Sequence, residues 1–275
     1  MSLPLNLLLR VTNGLRTLAA HRHLLRTLIE RDLSSRYRGS AAGVLWSLLM
    51  PCSMLAIYYF VFGYINQPVR QSFFSAQGAD FALTLFAGLN LHALLAECLS
   101  RAPQAIITQP SYVKRVVFPL YLLPLTVVGA AFVQFLLASS ILFVAHAWLN
   151  GLSWSLLLWP LSWLSLLVLA TGLSLLLSAL TVYLRDIVQV TGFVATFLLF
   201  MAPVFYPLAS APAGLQTALL FNPLTLPVET SRALFTQTPL PDTPLLLAHA
   251  AASLLFLMFS GWVFRKTRRG FADVL

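Results

Sequence analysis

Charge is what this chain has least of. Its 275 residues include 8 Asp and Glu and 17 Lys and Arg, so 9% are charged, where a soluble domain carries about a quarter. With 59% hydrophobic residues and a mean hydropathy of +0.84, that deficit predicts a membrane protein. The net charge of +9 and pI near 10.2 do not point to nucleic acid. The basic residues sit at the ends of apolar runs, where lipid headgroups lie. Only two cysteines occur, Cys52 and Cys98, both inside apolar runs, so no disulfide framework is expected. No GxxxxGK[ST] phosphate loop is present, which argues against ATP binding in that manner. There is no HExxH. His21 and His23 face different sides of a helix, and His92, His146 and His249 stand alone, so no metal site is expected. The first residues do not resemble a cleavable signal.

What is present is a series of long apolar runs. A spanning helix needs about 20 mostly apolar residues. Six stretches meet that need: Ala41–Ile65, Phe81–Leu99, Pro119–Trp148, Ser153–Leu184, Val188–Tyr206 and Leu245–Phe264. The third and fourth exceed it and must tilt, kink at Pro124 or Pro160, or project from the lipid. Asn66-Gln67-Pro68, Asn150-Gly151 and the proline-rich Pro207–Pro244 stretch separate spans. Before the first span, Leu8, Val11, Leu15, Leu18, Leu25 and Ile29 recur at near-helical spacing, interrupted by Asn13-Gly14. This predicts an amphipathic helix, or two short ones, lying in the membrane interface.

Orientation follows from the cations. With the N-terminus inside, 15 of the 17 Lys and Arg fall inside and only Arg70 and Arg232 outside. The positive-inside rule therefore places both termini in the cytoplasm. The inner set is densest in RDLSSRYRGSAAGVLW, residues 31–46, where Arg31, Arg36 and Arg38 abut the first span. Gly39 and Gly43 form a small-xxx-small pair there, read either as a close helix approach or as a flexible lead-in. Glu97 and Arg101 are four apart on one helix face and are expected to pair.

One enzymatic reading was weighed. Gly172-Leu-Ser174 in the fourth run and His249 in the sixth have the residue types of an intramembrane serine protease. Depth argues against it: Ser174 lies roughly 15 Å from the inner boundary and His249 roughly 22 Å at about 1.5 Å per residue. Ser174 then reads as a packing residue and His249 as an outer-interface one.

Several stretches together resemble a known family. They are Arg31-Asp32-Leu-Ser-Ser-Arg36-Tyr37-Arg38-Gly39-Ser40…Gly43…Leu45-Trp46 with Pro51, Val113-Lys114-Arg115-Val-Val-Phe118-Pro119, Leu184-Arg185-Asp186-Ile187, Ala202-Pro203-Val-Phe205-Tyr206-Pro207, Asn222-Pro223-Leu-Thr and Phe271-Ala272-Asp273-Val-Leu. The chain resembles the transmembrane subunit of ABC-type polysaccharide exporters, the permeases for O-antigen, capsule and teichoic-acid chains. It departs from the pattern at Thr108-Gln-Pro110-Ser-Tyr112, where the family often has an asparagine-rich stretch.

The resemblance implies an all-α membrane protein with six transmembrane helices, an N-terminal amphipathic interface helix and short outer gate helices between spans 5 and 6. Residues 1–275 would form a single transmembrane permease domain: 1–38 the interface segment, 41–264 the six-span region, 265–275 a cytoplasmic tail. It further implies a multi-pass protein of the inner membrane, acting as a homodimer with two copies of a cytoplasmic ATP-binding subunit. ATP and Mg would be held by that partner, and this chain would carry no cofactor and no catalytic residue. The cargo would be a polysaccharide, linked to undecaprenyl diphosphate if it is O-antigen. Capsular or teichoic-acid polymers, or a small molecule carried by the same architecture, are the alternatives.

Residue roles follow from the chemistry. Arg31, Arg36 and Arg38 offer guanidinium forks for a carrier pyrophosphate, with anionic lipid or Asp32 as competing partners. Arg101, Lys114, Arg115, Arg185 and Asp186 lie on inner segments suited to docking the ATPase partner. A sugar polymer favours aromatic surfaces. Trp46, Tyr58, Tyr59 and Phe62, with Phe60 and Tyr64, supply them on the first span, and Phe193, Phe197 and Phe200, with Phe205 and Tyr206, on the fifth. Each is also an ordinary packing or belt residue type. Pro203, Tyr206, Pro207, Asn222 and Pro223 mark an outer gate. Leu215–Leu220 and Val228–Phe235 are expected as short re-entrant or interfacial helices in it, with Leu219, Leu220, Phe221, Leu224 and Leu226 buried.

Overall fold

The computed structural model describes residues 19–40, 42–61, 78–113, 118–151 and 154–275. The expectations for Leu8 to Leu18, Phe62, Tyr64, Asn66 to Arg70, Lys114 and Arg115 lie outside the described residues. Among those described, all regular structure is helical. The elements are α1 (Arg22–Arg36), α2 (Trp46–Phe60), α3 (Gly78–Arg101), α4 (Gln104–Ile107), α5 (Pro110–Val113), α6 (Leu122–Asn150), α7 (Pro160–Thr181), α8 (Ile187–Phe200), α9 (Ala213–Leu220), α10 (Thr225–Thr236), α11 (Thr243–Thr267) and α12 (Phe271–Val274).

Helix is the natural outcome for such runs, because lipid offers the backbone no hydrogen-bond partner and a helix satisfies it internally. The ends follow from turn chemistry. Gly151 closes α6 with φ +78 and its N–H bonded to Ala147 O at 3.1 Å. Proline stands at the start of α7 and α11, where its missing N–H costs nothing. Pro124 falls in the first turn of α6 and Pro160 opens α7, so neither kinks a helix midway.

Among the described residues, four helical stretches are long and apolar enough to cross a membrane: Phe81–Arg101, Leu122–Asn150, Leu156–Thr181 and Thr243–Val274. The expected first and fifth spans differ in length. Their helices α2 and α8 have 15 and 14 residues, about 22 and 21 Å at 1.5 Å per residue. Each is shorter than a hydrocarbon core of about 30 Å. Gly39 and Gly43 have φ of +85° and +51°, and nothing lies within 4 Å of where a Cβ would stand. They form the turn from α1 into α2, not a close helix contact.

α3 is the central helix. Of its most apolar window 72% is buried inside the protein, against 11% for α11. α2, α6, α7, α8 and α10 all pack on it. α11 packs on α7, and a Cβ on Gly172 would stand 3.1 Å from Leu257 Cα, so a larger residue there would push the pair apart. At one end of the bundle a stack of Phe135 on Trp159 (5.3 Å, 8°) and an edge contact of Phe143 on Trp159 (4.8 Å) join α6 to α7. At the other end, which holds the arginine cluster, Ala102, Ile106, Val113, Leu123, Val182, Phe264 and Phe271 form a second apolar cluster.

Candidate functional site

At the basic end, α1 is fastened by Leu28, which is buried, and by Ile29, whose Cδ1 would lie 2.3 Å from a Cβ on Gly129 of α6. That attachment brings Asp32 and Arg36 over the last turns of α3. There the Glu97–Arg101 pair forms at 3.0 Å, as its spacing predicts. It is half of a quartet. Arg36 bonds Asp32 at 2.9 Å and Glu97 at 2.5 Å, and Arg101 also reaches Asp32 at 2.6 Å. Two cations and two carboxylates cancel, so the cluster has no net charge to offer an anion. Partial burial would raise the Asp32 pKa, but the hydrogen bonds and charges of Arg101 and Arg36 outweigh it and hold it below the usual carboxylate value.

A folded pKa below the unfolded one means that this stabilisation is complete above the ordinary carboxyl value of about 3.9. It is lost only as pH falls through the lower, folded value. At pH 7 the quartet is therefore intact, and Glu97→Gln or Asp32→Asn breaks it. Removing one partner of a fully buried pair costs about 3–5 kcal/mol. These side chains retain 20–35% of their exposure, so about 1–2 kcal/mol is expected, between the surface and buried figures. Thermal unfolding in detergent at pH 7 should show each variant melting several degrees lower. An unchanged midpoint would mean that the quartet does not hold α1 to α3.

The other two predicted phosphate ligands are placed differently. Arg31 and Arg38 line a cleft of about 510 Å³ between α1 and the α3–α6 connection, with Ser35, Gln104, Thr108 and Gln109. Arg31 Nη1 donates to Tyr112 Oη at 3.1 Å, and its guanidinium stands 5.9 Å from that ring. Arg36 does not line the cleft. Of the residues assigned to partner docking, Arg101 belongs to the quartet, while Arg185 and Asp186 are exposed at the α7–α8 elbow. Sequence reasoning missed what braces this surface. Phe271 is fully buried, 5.8 Å edge-on from Phe264 and 6.0 Å from Tyr183, in the apolar cluster that also takes in Ala105 and Ile106 of α4 and Val113 of α5. Tyr183 O–H donates to Thr267 O at 2.8 Å and fixes the turn that makes this possible.

The predicted path aromatics divide. Val190, Phe193, Phe197 and Phe200 form one stripe on α8, and the three phenylalanines are 52–73% exposed. Trp46 and Tyr59 are exposed on α2. Tyr58 instead faces a crevice of about 250 Å³ among α2, α3 and α6, with Ser47, Asn90, Glu97 and Gln134. Helix α8 is tied to α3 by His92 Nε2 and Ala195 O at 2.9 Å.

At the opposite end the predicted gate residues converge. The two short helices are α9 and α10, and Leu219, Leu224 and Leu226 are buried as expected. Phe221 is not: it is 87% exposed, because it caps α9 on the side away from the core. Asn222 Nδ2 donates to Leu198 O at 2.9 Å, and Asn222 Oδ1 accepts from Leu224 N at 2.9 Å. Pro223 O lies 3.1 Å from His249 Nε2, which must donate to it. His249 Nδ1, 3.0 Å from Ser165 Oγ, then accepts from the serine. His249 is thus a packing link between α7, α11 and the gate. Ser174, nine residues further along α7, is fully buried elsewhere, so the Ser174–His249 pair of the protease reading does not form. Sequence reasoning also missed Arg232 and Glu229, an ion pair on the otherwise buried face of α10. Two opposite charges three apart in an apolar helix were the available signal.

The chain is 29% identical over 261 residues to the O-antigen export system permease protein RfbA of Myxococcus xanthus, covering 94% of this chain and 97% of that protein. It is 24% identical over 258 residues to an RfbA of the same description from Klebsiella pneumoniae, covering 92% and 95%. It is 26% identical over 211 residues to the polysialic acid transport protein KpsM of Escherichia coli, covering 74% and 78%. Residues 23–236 match the family described as ABC-2 type transporter. That match takes in almost all of α1, the quartet, the central helices and the short helices α9 and α10, and the chain belongs to the ABC-2 type transporter family of membrane proteins.

Proposed function

We propose that this chain is the permease subunit of an ATP-driven exporter that moves an O-antigen-type polysaccharide, linked to undecaprenyl diphosphate, across the inner membrane. The observation that carries the reading is the end-to-end match to an O-antigen export permease, 94% of this chain against 97% of that one. The match to the capsule-type transporter covers 74% of this chain, which makes a capsular polymer the second reading.

In this reading residues 1–275 are one permease domain with six spans. α2 and α8, with their flanking residues, complete the first and fifth. The basic end faces the cytoplasm and holds both termini. Two copies form a homodimer around a shared path, with Trp46, Tyr59, Phe193, Phe197 and Phe200 toward it. Two copies of an ATP-binding subunit dock on the α4–α5 segment with Lys114, Arg115, Arg185 and Asp186, and they hold the ATP and Mg. Arg31 and Arg38 receive the carrier's diphosphate in the cleft. The neutral quartet fixes α1 so that the cleft keeps its shape.

Deleting the gene should abolish surface polysaccharide and leave lipid-linked polymer accumulating on the cytoplasmic leaflet, both restored by the gene on a plasmid. Surface polysaccharide of normal length and amount in the deletion strain would overturn the reading.

A further inference from the structure

The elbow that follows α8 is held to α10 by side chains of α10. Helix α8 ends at Phe200, and the chain then turns through Met201–Leu208 before the gate helices. Within that elbow Pro203 and Pro207 have no N–H to give, and residues 203–206 lie outside any regular helix. Carbonyls freed there are costly in a low-dielectric setting unless a donor reaches them. One side chain supplies it. Arg232 of α10 donates to Pro203 O and, at 3.3 Å, to Val204 O, while its other terminal nitrogen pairs with Glu229. The same Glu229 oxygen accepts from Leu208 N at 2.9 Å.

The ion pair therefore grips the elbow on both sides of Phe205 and Tyr206. The Arg232 side chain is 7% exposed and that of Glu229 19%, so the grip is nearly dry. Behind it the packing is tight: a Cβ on Gly88 of α3 would stand 3.2 Å from Val204 Cγ1 and 3.5 Å from Val228 Cγ1. The elbow and α10 thus meet on the same turn of the central helix.

We propose that Arg232 and Glu229 are positioning residues of the gate. They lock the outer end of α8 to α10, so that the end of the translocation path and the gate hairpin move as one body. This rests on the exporter reading for the word "gate"; the labelling rate below tests the lock whatever the cargo, and the export readouts test what the lock does for transport. Lysine at 232 keeps the charge but lacks the planar fork that serves two carbonyls and a carboxylate at once. Arg232→Lys should release the elbow, and Glu229→Gln should do so to a lesser degree.

The measurement is the labelling rate of Val204→Cys by a membrane-impermeant maleimide, with Cys52 and Cys98 replaced by alanine. Val204 is 2% exposed, so labelling with the pair intact should be slow. It should rise about ten-fold in Arg232→Lys and less in Glu229→Gln. The ATP consumed per polymer exported by the assembled complex should rise with it. Unchanged labelling and an unchanged ratio in assembled complexes of both variants would overturn the proposal. A second measurement holds even where those variants fail to assemble. Val204→Cys and Val228→Cys in the Cys52→Ala, Cys98→Ala background, joined as a disulfide by a small membrane-permeant oxidant and the link confirmed by mass spectrometry, should still permit export, because one body loses nothing on being linked. Arrest of export and of cargo-stimulated ATP hydrolysis on linking would show that elbow and α10 must separate, and would equally overturn it.

Discussion

Replacing Arg31 and Arg38 together by lysine should lower export at least about ten-fold while leaving the amount of inserted, dimeric protein unchanged. Both residues line the 510 Å³ cleft, and neither belongs to the neutral quartet. Anchoring a helix at the headgroup level needs only positive charge, which lysine supplies. Holding a diphosphate in one pose draws on paired, planar N–H donors, which lysine lacks. A hydrogen bond to a charged group contributes about 1.5–3 kcal/mol, and each 1.4 kcal/mol is ten-fold in binding. Losing one such bond in effect accounts for the expected drop, and losing two would exceed it. Arg36→Lys should separate from this pair. Its fork bridges Asp32 and Glu97, so its loss should appear first as a lower melting temperature and only then as lower export. Wild-type export by the double-lysine variant across a range of cargo levels would make Arg31 and Arg38 anchors only.

Phe271→Ala should have the second large effect, on communication with the ATPase partner. Phe271 is fully buried against Phe264 and Tyr183, in a cluster that draws on α4, α5, α6, α7 and α11. Truncating a buried phenylalanine costs about 3–5 kcal/mol when the site cannot collapse. Here the loss is limited because Phe271 sits on a four-residue helix outside the spans. The apolar cluster shared with α4 and α5 would then lose a fully buried ring, while the spans remain packed through the separate core around α3. The variant should insert and dimerise, yet its partner should hydrolyse ATP at a rate no longer raised by cargo. Phe271→Leu, which keeps most of the apolar volume, should retain most of the response. Cargo-stimulated hydrolysis at the wild-type level in Phe271→Ala would mean that the tail does not brace the docking segment.

Much of this end was legible in the sequence. Glu97 and Arg101 announced their pairing by spacing, because i,i+4 neighbours on a helix must meet. The apolar runs marked the long helices for the same reason that lipid demands helix. What local pattern could not supply was long-range partnership. The four-residue spacing of Asp32 and Arg36 set that arginine apart from Arg31 and Arg38, but nothing local showed that Arg36 also reaches Glu97 across 61 positions. Phe271 stood in a basic tail, where a lone aromatic reads as an interface residue until tertiary packing covers it.

The gate taught a similar lesson. Its two short helices and the burial of Leu219, Leu224 and Leu226 followed from apolar content and proline spacing. Phe221 did not, since a one-residue difference at the end of α9 decides which way it points. Arg232 counted only as one of two outer cations in the charge balance, and its burial beside Glu229 reversed its meaning. Helix α8 is shorter than its apolar run because hydropathy reports solubility in lipid and not where a helix begins or ends.

The most direct test of the account is transport in inverted membrane vesicles containing this chain and its ATP-binding subunit. Undecaprenyl-diphosphate-linked polysaccharide would be added to the outside, which corresponds to the cytoplasmic face. The account predicts ATP-dependent passage of the polymer into the lumen, seen as protection from an added glycosidase, and none when either subunit or ATP is omitted. Polymer that stays fully accessible to the enzyme, while the complete complex hydrolyses ATP, would contradict it.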